Sequence, residues 1–205
     1  MTHAAHITGT RERLLQAAME LFTTKGYEAT SVSEILSRAG VNSGSLYHFF
    51  NGKEDLLLEG LDFFKTMLYP IVMAPAFERE ADPIEKIFAV LADYRQRLVI
   101  TDTEYECPIG KLALEVGRYS PAVREKIAGN FAAWRDHIRQ CLDEAAYRLP
   151  PSIDHEALAT FVLTVMEGAV MQARTHRDLS YYDASVSHLR TYFQYLLVES
   201  AAIHS

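Results

Sequence analysis

Between Ser31 and Gly52 the chain has little choice but to form two short helices around a sharp turn. Ser31 is followed by Glu34, the spacing at which a serine hydroxyl accepts from the amide at the third helical position while the carboxylate reaches back to the serine amide. Val32, Ile35, Leu36 and Ala39 then recur at helical spacing and make one apolar face, and Gly40 supplies the left-handed residue on which helices commonly stop. Val41 plugs the angle, and Asn42 or Ser43 caps a second helix running through Gly44, Ser45, Leu46, Tyr47 and His48 until Asn51 and Gly52 break it. Two helices joined by a turn of about three or four residues containing glycine make a helix-turn-helix.

In that geometry the first residues of the second helix face base edges in a DNA major groove, and its first turn points backbone N–H groups at phosphate oxygens. Small side chains at Ser43, Gly44 and Ser45 let the backbone come close. The same stretch resembles the TetR-type transcriptional regulators. The likeness rests on Gly26-Tyr27, Thr30, the run Ala39-Gly40-Val41, then Gly44-Ser45-Leu46-Tyr47, Phe50 and Lys53-Glu54-Asp55-Leu56-Leu57. It covers roughly residues 8 to 68. The resemblance implies hydroxyl contacts to phosphate from Thr30 and Ser31 and further ones from Tyr47 and His48. It implies a cationic phosphate clamp at Lys53, with Ser43, Gly44 and Ser45 approaching bases behind the Asn42 cap. Two departures stand out. Asn42 takes the place of the usual capping serine, and Ser43 stands where family members often carry a lysine or other base reader, so a target sequence does not transfer. Taken singly, Tyr47 and Phe50 also fit a core, and Lys53 a solvated helix start.

Charge agrees only in part with a nucleic-acid partner. The chain has 205 residues and a formal net charge of -7, whereas a DNA binder is usually basic. Residues 1–53 carry five Lys/Arg against four Asp/Glu, which leaves -8 on the remainder. An acidic body repels DNA and so turns the head toward it, and a weakly basic head limits nonspecific affinity.

The rest of the sequence also reads as helix, giving an all-α chain with a helix-turn-helix DNA-binding domain over residues 8–68 (the motif at about 31–50) and a helical effector-binding and dimerisation domain over 69–205. A first helix, about Thr10 to Lys25, offers Leu14, Ala17, Ala18, Leu21 and Phe22 to the motif. A fourth starts at Lys53, carries apolar residues on two sides and ends near Tyr69-Pro70. Asp82-Pro83 with Glu85 opens a helix to about Ile100; Pro108 to Tyr119 is short, and Ser120-Pro121 begins a long one toward Arg148. From Asp154 to Arg174 the chain is apolar nearly all round, and a last helix from Asp183 to Ser200 carries an apolar stripe. Paired with their symmetry mates as a four-helix bundle, these two helices make a homodimer, with Phe161, Val165, Val170, Leu189, Phe193, Leu196 and Leu197 at the interface. The same pattern serves the central core helix of a monomer.

The resemblance further implies a small-molecule pocket in the body, where Phe64, Leu68, Tyr94, Leu98, Cys107, Leu112, Glu115, Trp134 and Met166 form a largely apolar set suited to an apolar or aromatic effector. Cys107, just before Pro108 at a helix start, is a candidate for reaction with electrophiles or oxidants, although Glu104 and Glu106 work against a thiolate. Cys141, on the inner stripe of the long helix, reads as inert. A repressor released by an effector is therefore the leading expectation. The alternatives are an electrophile- or redox-responsive regulator acting through Cys107 and a helical protein-interaction module without effector.

Enzyme signatures are missing: His155-Glu156 is not part of HExxH, G-x-S-x-G does not occur, and no phosphate loop appears. The eight histidines do not cluster at metal-ligand spacing, so no metal or other cofactor is expected. The absence of an uncharged apolar run of eighteen residues and of a signal-peptide pattern gives the expectation of a cytoplasmic protein with no membrane partner.

Overall fold

Local signals decide where most helices begin and end. In the computed structural model, which describes residues 9–116 and 120–203, all regular structure is helical. α1 spans Thr10–Thr24 and buries Leu14, Ala17, Ala18 and Phe22 as expected, with Met19 rather than Leu21 completing the face. α2 spans Val32–Ala39, α3 Ser43–Phe49 and α4 Lys53–Leu68. The first eight residues, including the expected domain start at residue 8, lie outside the described residues.

The chain does not stop at Tyr69-Pro70. It passes through one wide π turn, Tyr69–Met73, into the short α5, Ala74–Phe77; Pro70 has no N–H to continue the α-helical pattern, and the Ala74 amide donates to the Tyr69 carbonyl five residues back. α6, Pro83–Ile100, begins as the sequence dictates: Asp82 Oδ1 accepts from the amides of Ile84 at 2.8 Å and Glu85 at 3.2 Å, with Pro83 inside the first turn. α7 spans Pro108–Val116, and the remainder of its expected extent, 117–119, lies outside the described residues. α8 spans Pro121–Glu144 and is followed by a 3-10 turn at Ala146–Arg148. α9, His155–His176, is capped by Asp154, and α10 spans Ser180–Ile203.

Compactness divides the chain into two units, one within Met1–Thr66 and Pro108–Asn130, the other within Met67–Cys107 and Phe131–Ser205. The sequence suggested a single cut after residue 68. Instead, α7 and the start of α8 belong with the head, drawn there by contacts described below. In the head, α1 packs on α2, α3 and α7, and Phe22, Ile35, Leu46, Phe50, Leu57 and Leu61 are buried. α1 and α4 approach closely at Gly60, where a Cβ would meet the Met19 side chain.

In the body, α9 packs against α10 and α6, and its inner side (Leu158, Val162, Met166, Ala169, Val170, Ala173) joins a core that also holds Ile87, Leu91, Trp134, Ile138, Leu189 and Phe193. α9 is long and apolar enough to cross a membrane by length and composition. Its place in that core accounts for the apolarity equally well.

Gly40 tests the turn between α2 and α3. Its φ is +65° and a Cβ there would meet nothing within 4 Å. Gly40→Ala is therefore expected to cost about 1 kcal/mol from backbone conformation alone, read as a lower denaturant midpoint at unchanged m-value.

Candidate nucleic-acid interface

The start of α2 is held as the Ser31–Glu34 spacing requires: Ser31 Oγ accepts from the Glu34 amide, and Glu34 Oε2 accepts from the Ser31 amide at 2.8 Å. Lys25 also pairs with Glu34. The Lys25 ammonium first, then the Ser31 amide and hydroxyl, hold the Glu34 carboxyl down to about 2. Gly40 ends the helix, with the Val41 amide donating to the Leu36 carbonyl at 3.1 Å. Of the two candidate caps for α3, Asn42 is the one used; its Oδ1 accepts from the Ser45 amide at 3.1 Å and the Ser45 hydroxyl at 3.0 Å.

Beyond this cap, Ser43 and Gly44 are exposed, Ser45 is half-buried, and no acid occupies the first turn. Leu46 and Phe50 turn inward and are buried. Tyr47 points outward with 66% of its surface open, and exposed His48 sets its ring edge-on to Phe49 at 4.6 Å. One exposed face without acidic residues thus carries Ser43, Gly44, Tyr47 and His48. The first amides of a helix have no partner within it, so this face offers N–H and O–H donors to an anionic surface.

Two expected phosphate contacts are used elsewhere. Thr30 is only 1% exposed, and its hydroxyl donates to the Gly26 carbonyl at 2.6 Å, which removes it from any duplex. The Lys53 ammonium donates to the carbonyls of Tyr27 at 2.9 Å and Thr30 at 3.0 Å and lies 4.2 Å from the centre of the Tyr27 ring. It braces the turn before α2, adding a charged donor to the Tyr27 carbonyl, which also accepts from the Thr30 amide, and to the Thr30 carbonyl. Ser31 is exposed but commits its hydroxyl to Glu34 at 2.7 Å.

The head's other cations are similarly engaged. Arg11 pairs with Glu59 and Arg38 with Glu20. Arg13 is exposed and donates only weakly, to Thr10 Oγ1 at 3.4 Å; sequence reasoning passed over it because nothing in its local pattern sets it apart.

The residues expected to line an effector pocket separate. Phe64, Leu112 and Glu115 belong to the head unit, and Leu68, Tyr94, Leu98, Cys107, Trp134 and Met166 to the body. Glu115 is corrected outright, since its carboxylate accepts from the backbone amides of Tyr27 and Glu28. Leu112 is fully buried in the head, and Leu98 and Met166 are fully buried in the body core.

A polar group remains in the body interior. Trp134 Nε1 donates to the Tyr94 hydroxyl at 3.3 Å, the Tyr105 ring lies 6.1 Å from that of Tyr94, and the Arg97 guanidinium lies about as far from both. Burial pushes the Tyr94 and Tyr105 phenols up. Glu167, which the sequence did not single out, has its carboxyl raised by burial, opposed by a hydrogen bond from Cys107, and its Oε1 has no hydrogen-bond partner. The acids expected to act on Cys107 are drawn away: Glu104 pairs with Arg177 and Glu106 with Arg174. The acid beside the thiol is Glu167. Cys141 is buried, and burial pushes its thiol up to about 12.

On α9 and α10 the expected interface also needs correction. Val170, Leu189, Phe193 and Leu196 pack into the chain's own core, so they are not free for a partner. Phe161 is exposed, and Val165 and Leu197 are half-buried. Large apolar side chains left exposed on these helices include Phe161, Tyr192, Tyr195 and Val198, and Phe161 and Tyr192 line a groove of about 900 Å³ between α9 and α10. Both sides of α10 are apolar enough to bury, and the stripe richer in Leu and Phe went inward.

Glu34 supplies a pH test. Its folded pKa lies below its ordinary 4.5, so its contribution to stability is complete above that value and is lost as pH falls toward about 2. Glu34→Gln is expected to flatten the acid limb of a stability-versus-pH curve across that window; an unchanged limb would reject the cap's role.

Comparison with known proteins agrees with this geometry. Residues 14–59 match the family model of bacterial regulatory proteins, tetR family, and residues 83–185 match the C-terminal domain model of LmrA/YxaF-like transcriptional regulators. The uncharacterised HTH-type transcriptional regulator Rv0196 of Mycobacterium tuberculosis is 34% identical over 89% of this chain and 93% of its own length. The HTH-type transcriptional repressor KstR2 of the same species is 27% identical, with 78% of each chain covered. A TetR transcriptional regulator from Chloroflexus aurantiacus superposes with a TM-score of 0.77 at 29% identity, covering 90% of this chain and 94% of that one. The chain belongs to the TetR family and is a DNA-binding transcriptional regulator rather than an enzyme.

Proposed function

We propose that this regulator is a homodimeric repressor whose two heads occupy adjacent half-sites of a double-stranded operator and are released by a small molecule held in the body. The observation that carries the reading is the exposed, acid-free face of α3, held outward by the buried Leu46 and Phe50. With the nearby cations largely paired, register comes from backbone amides and hydroxyls, and much of the sequence preference comes from DNA shape. Repression follows from occupying the operator, and the relative KstR2 carries the name repressor. Such a role places the protein with chromosomal DNA in the cytoplasm.

A dimer is supported by the large apolar side chains left exposed on the packed pair α9 and α10, namely Phe161, Tyr192, Tyr195 and Val198, a surface that a second copy would cover across a two-fold axis. For the effector, the body interior gathers the rings of Tyr94, Tyr105 and Trp134, and Glu167 Oε1 has no hydrogen-bond partner among the described residues. These suit an aromatic or largely apolar molecule with one hydrogen-bond donor. Release requires tighter binding to the DNA-incompetent state; ~1 to 3 kcal/mol of coupling corresponds to about 5- to 150-fold in affinity. The hydrogen bond between Cys107 and Glu167 favours a second reading, in which an electrophile reacting at this thiol displaces the carboxyl.

Titration with duplexes from the DNA flanking its own gene, at two salt concentrations, tests the main reading. Tyr47→Phe is expected to weaken specific binding by about three- to tenfold through loss of one phosphate hydrogen bond, and equal affinity would remove Tyr47 from the interface. Val198→Glu is expected to shift the protein to monomer by sedimentation at micromolar concentration and to abolish cooperative operator binding. A dimer that persists would place the interface elsewhere.

A further inference from the structure

α7 reaches the head with charge as well as with apolar contacts. On this nine-residue helix Leu112 and Val116 are buried, and Lys111 and Glu115 lie beside them at the same i,i+4 spacing. The Lys111 ammonium donates to the carbonyls of Thr23 at 2.9 Å and Thr24 at 3.2 Å, the last residues of α1. α1 has no basic residue of its own in its last turn, so a residue about 87 positions downstream satisfies its carbonyl end.

Glu115 takes the next stretch of chain. Its Oε2 accepts from the Tyr27 amide at 3.0 Å and its Oε1 from the Glu28 amide at 2.7 Å. Gly26 makes room for this: its φ is +101°, and a Cβ there would stand 3.1 Å from both carboxylate oxygens. From the other side, Lys53 holds the carbonyls of Tyr27 and Thr30. The turn that sets α2 against α1 is thus fixed by amides bound to Glu115 and carbonyls bound to Lys53. It has little internal hydrogen bonding of its own beyond Thr30 to Tyr27 and Gly26.

We infer that Glu115 and Lys111 are positioning residues for DNA recognition: α7 staples the end of α1 and the turn before α2, and so sets the attitude of the helix-turn-helix without touching DNA. The staple lies outside the segment that matches the N-terminal family model, residues 14–59. α7 begins immediately after Cys107, so an event that displaces its first turn acts on the two amides and two carbonyls it holds. The DNA consequence rests on the regulator reading above; the staple does not.

Amide hydrogen exchange on the full-length chain separates the two. In Glu115→Ala the Tyr27 and Glu28 amides are expected to exchange about tenfold faster, because a hydrogen bond to a charged group is lost at each. Glu115→Gln, which keeps one oxygen, should fall between. Amides in the middle of α4, in the same unit as Glu115, should be unchanged, which verifies that the head remains folded. Lys111→Met should loosen the last turn of α1 without exposing the Glu28 amide. With the flanking-DNA duplex as probe, Glu115→Ala is expected to lose about tenfold in affinity at an unchanged slope against log salt, since no phosphate contact is removed. Unaltered exchange at both amides would overturn the staple. Faster exchange at full DNA affinity would overturn its role in positioning. A wild-type chain that binds no duplex would overturn the regulator reading alone, with the exchange result still deciding the staple.

Discussion

A seven-residue helix cannot hold itself together in water, and α3 is that short. The first turn of any helix fixes several residues in return for one hydrogen bond, so isolated helices below about a dozen residues are marginal even with favourable composition. α3 persists because Asn42 closes its amino end and Leu46 and Phe50 anchor it from below. This support frees its outward positions from any structural duty. Ser43, Gly44, Tyr47 and His48 contribute little to packing and are available for a ligand. The head is a platform for presenting half of one short helix.

The supports of that platform differ in how they can be read. The Ser31–Glu34 box, the Gly40 stop and the Asn42 cap act over three or four residues, and each is visible in the sequence because donor and acceptor lie within one turn of chain. Thr30 was expected to face DNA and is buried, and Lys53 was expected to clamp phosphate but spends its ammonium on two backbone carbonyls. Their partners, the carbonyls of Gly26, Tyr27 and Thr30, are backbone groups with no signature in the residue types. Glu115 is a stronger case, because its contacts span 87 and 88 residues and nothing near it in the chain signals them. In α10 the difficulty was the reverse. One apolar stripe is legible there, expected to meet a partner, and periodicity alone could not say whether that stripe would be buried within the chain or against another copy.

Electrostatics follow from the same commitments. Arg11, Lys25, Arg38 and Lys53 are each bound to a carboxylate or to carbonyl oxygens within the head. Exposed ion pairs of this kind contribute little to stability, a few tenths to about 1 kcal/mol each, but they lower the free positive charge available to a duplex. A head near neutrality on an acidic body releases few counterions when it binds. Its grip on arbitrary DNA is correspondingly weak, and specific binding rests on donors that must be placed accurately.

Accurate placement makes the packing of the head a functional quantity. Point charges tolerate displacement because Coulomb energy falls slowly with distance, whereas hydrogen bonds from amides and hydroxyls weaken steeply once geometry departs from linearity. A recognition surface that works through the latter is therefore sensitive to small changes in the tilt of α3. On the positioning role inferred above, that tilt depends on the α1–α2 turn, whose amides are held by Glu115 and whose carbonyls are held by Lys53. The same sensitivity favours regulation. In the homodimer proposed above, a displacement of α7 that misaligns the donors of one head would also forfeit the high effective concentration that its partner provides.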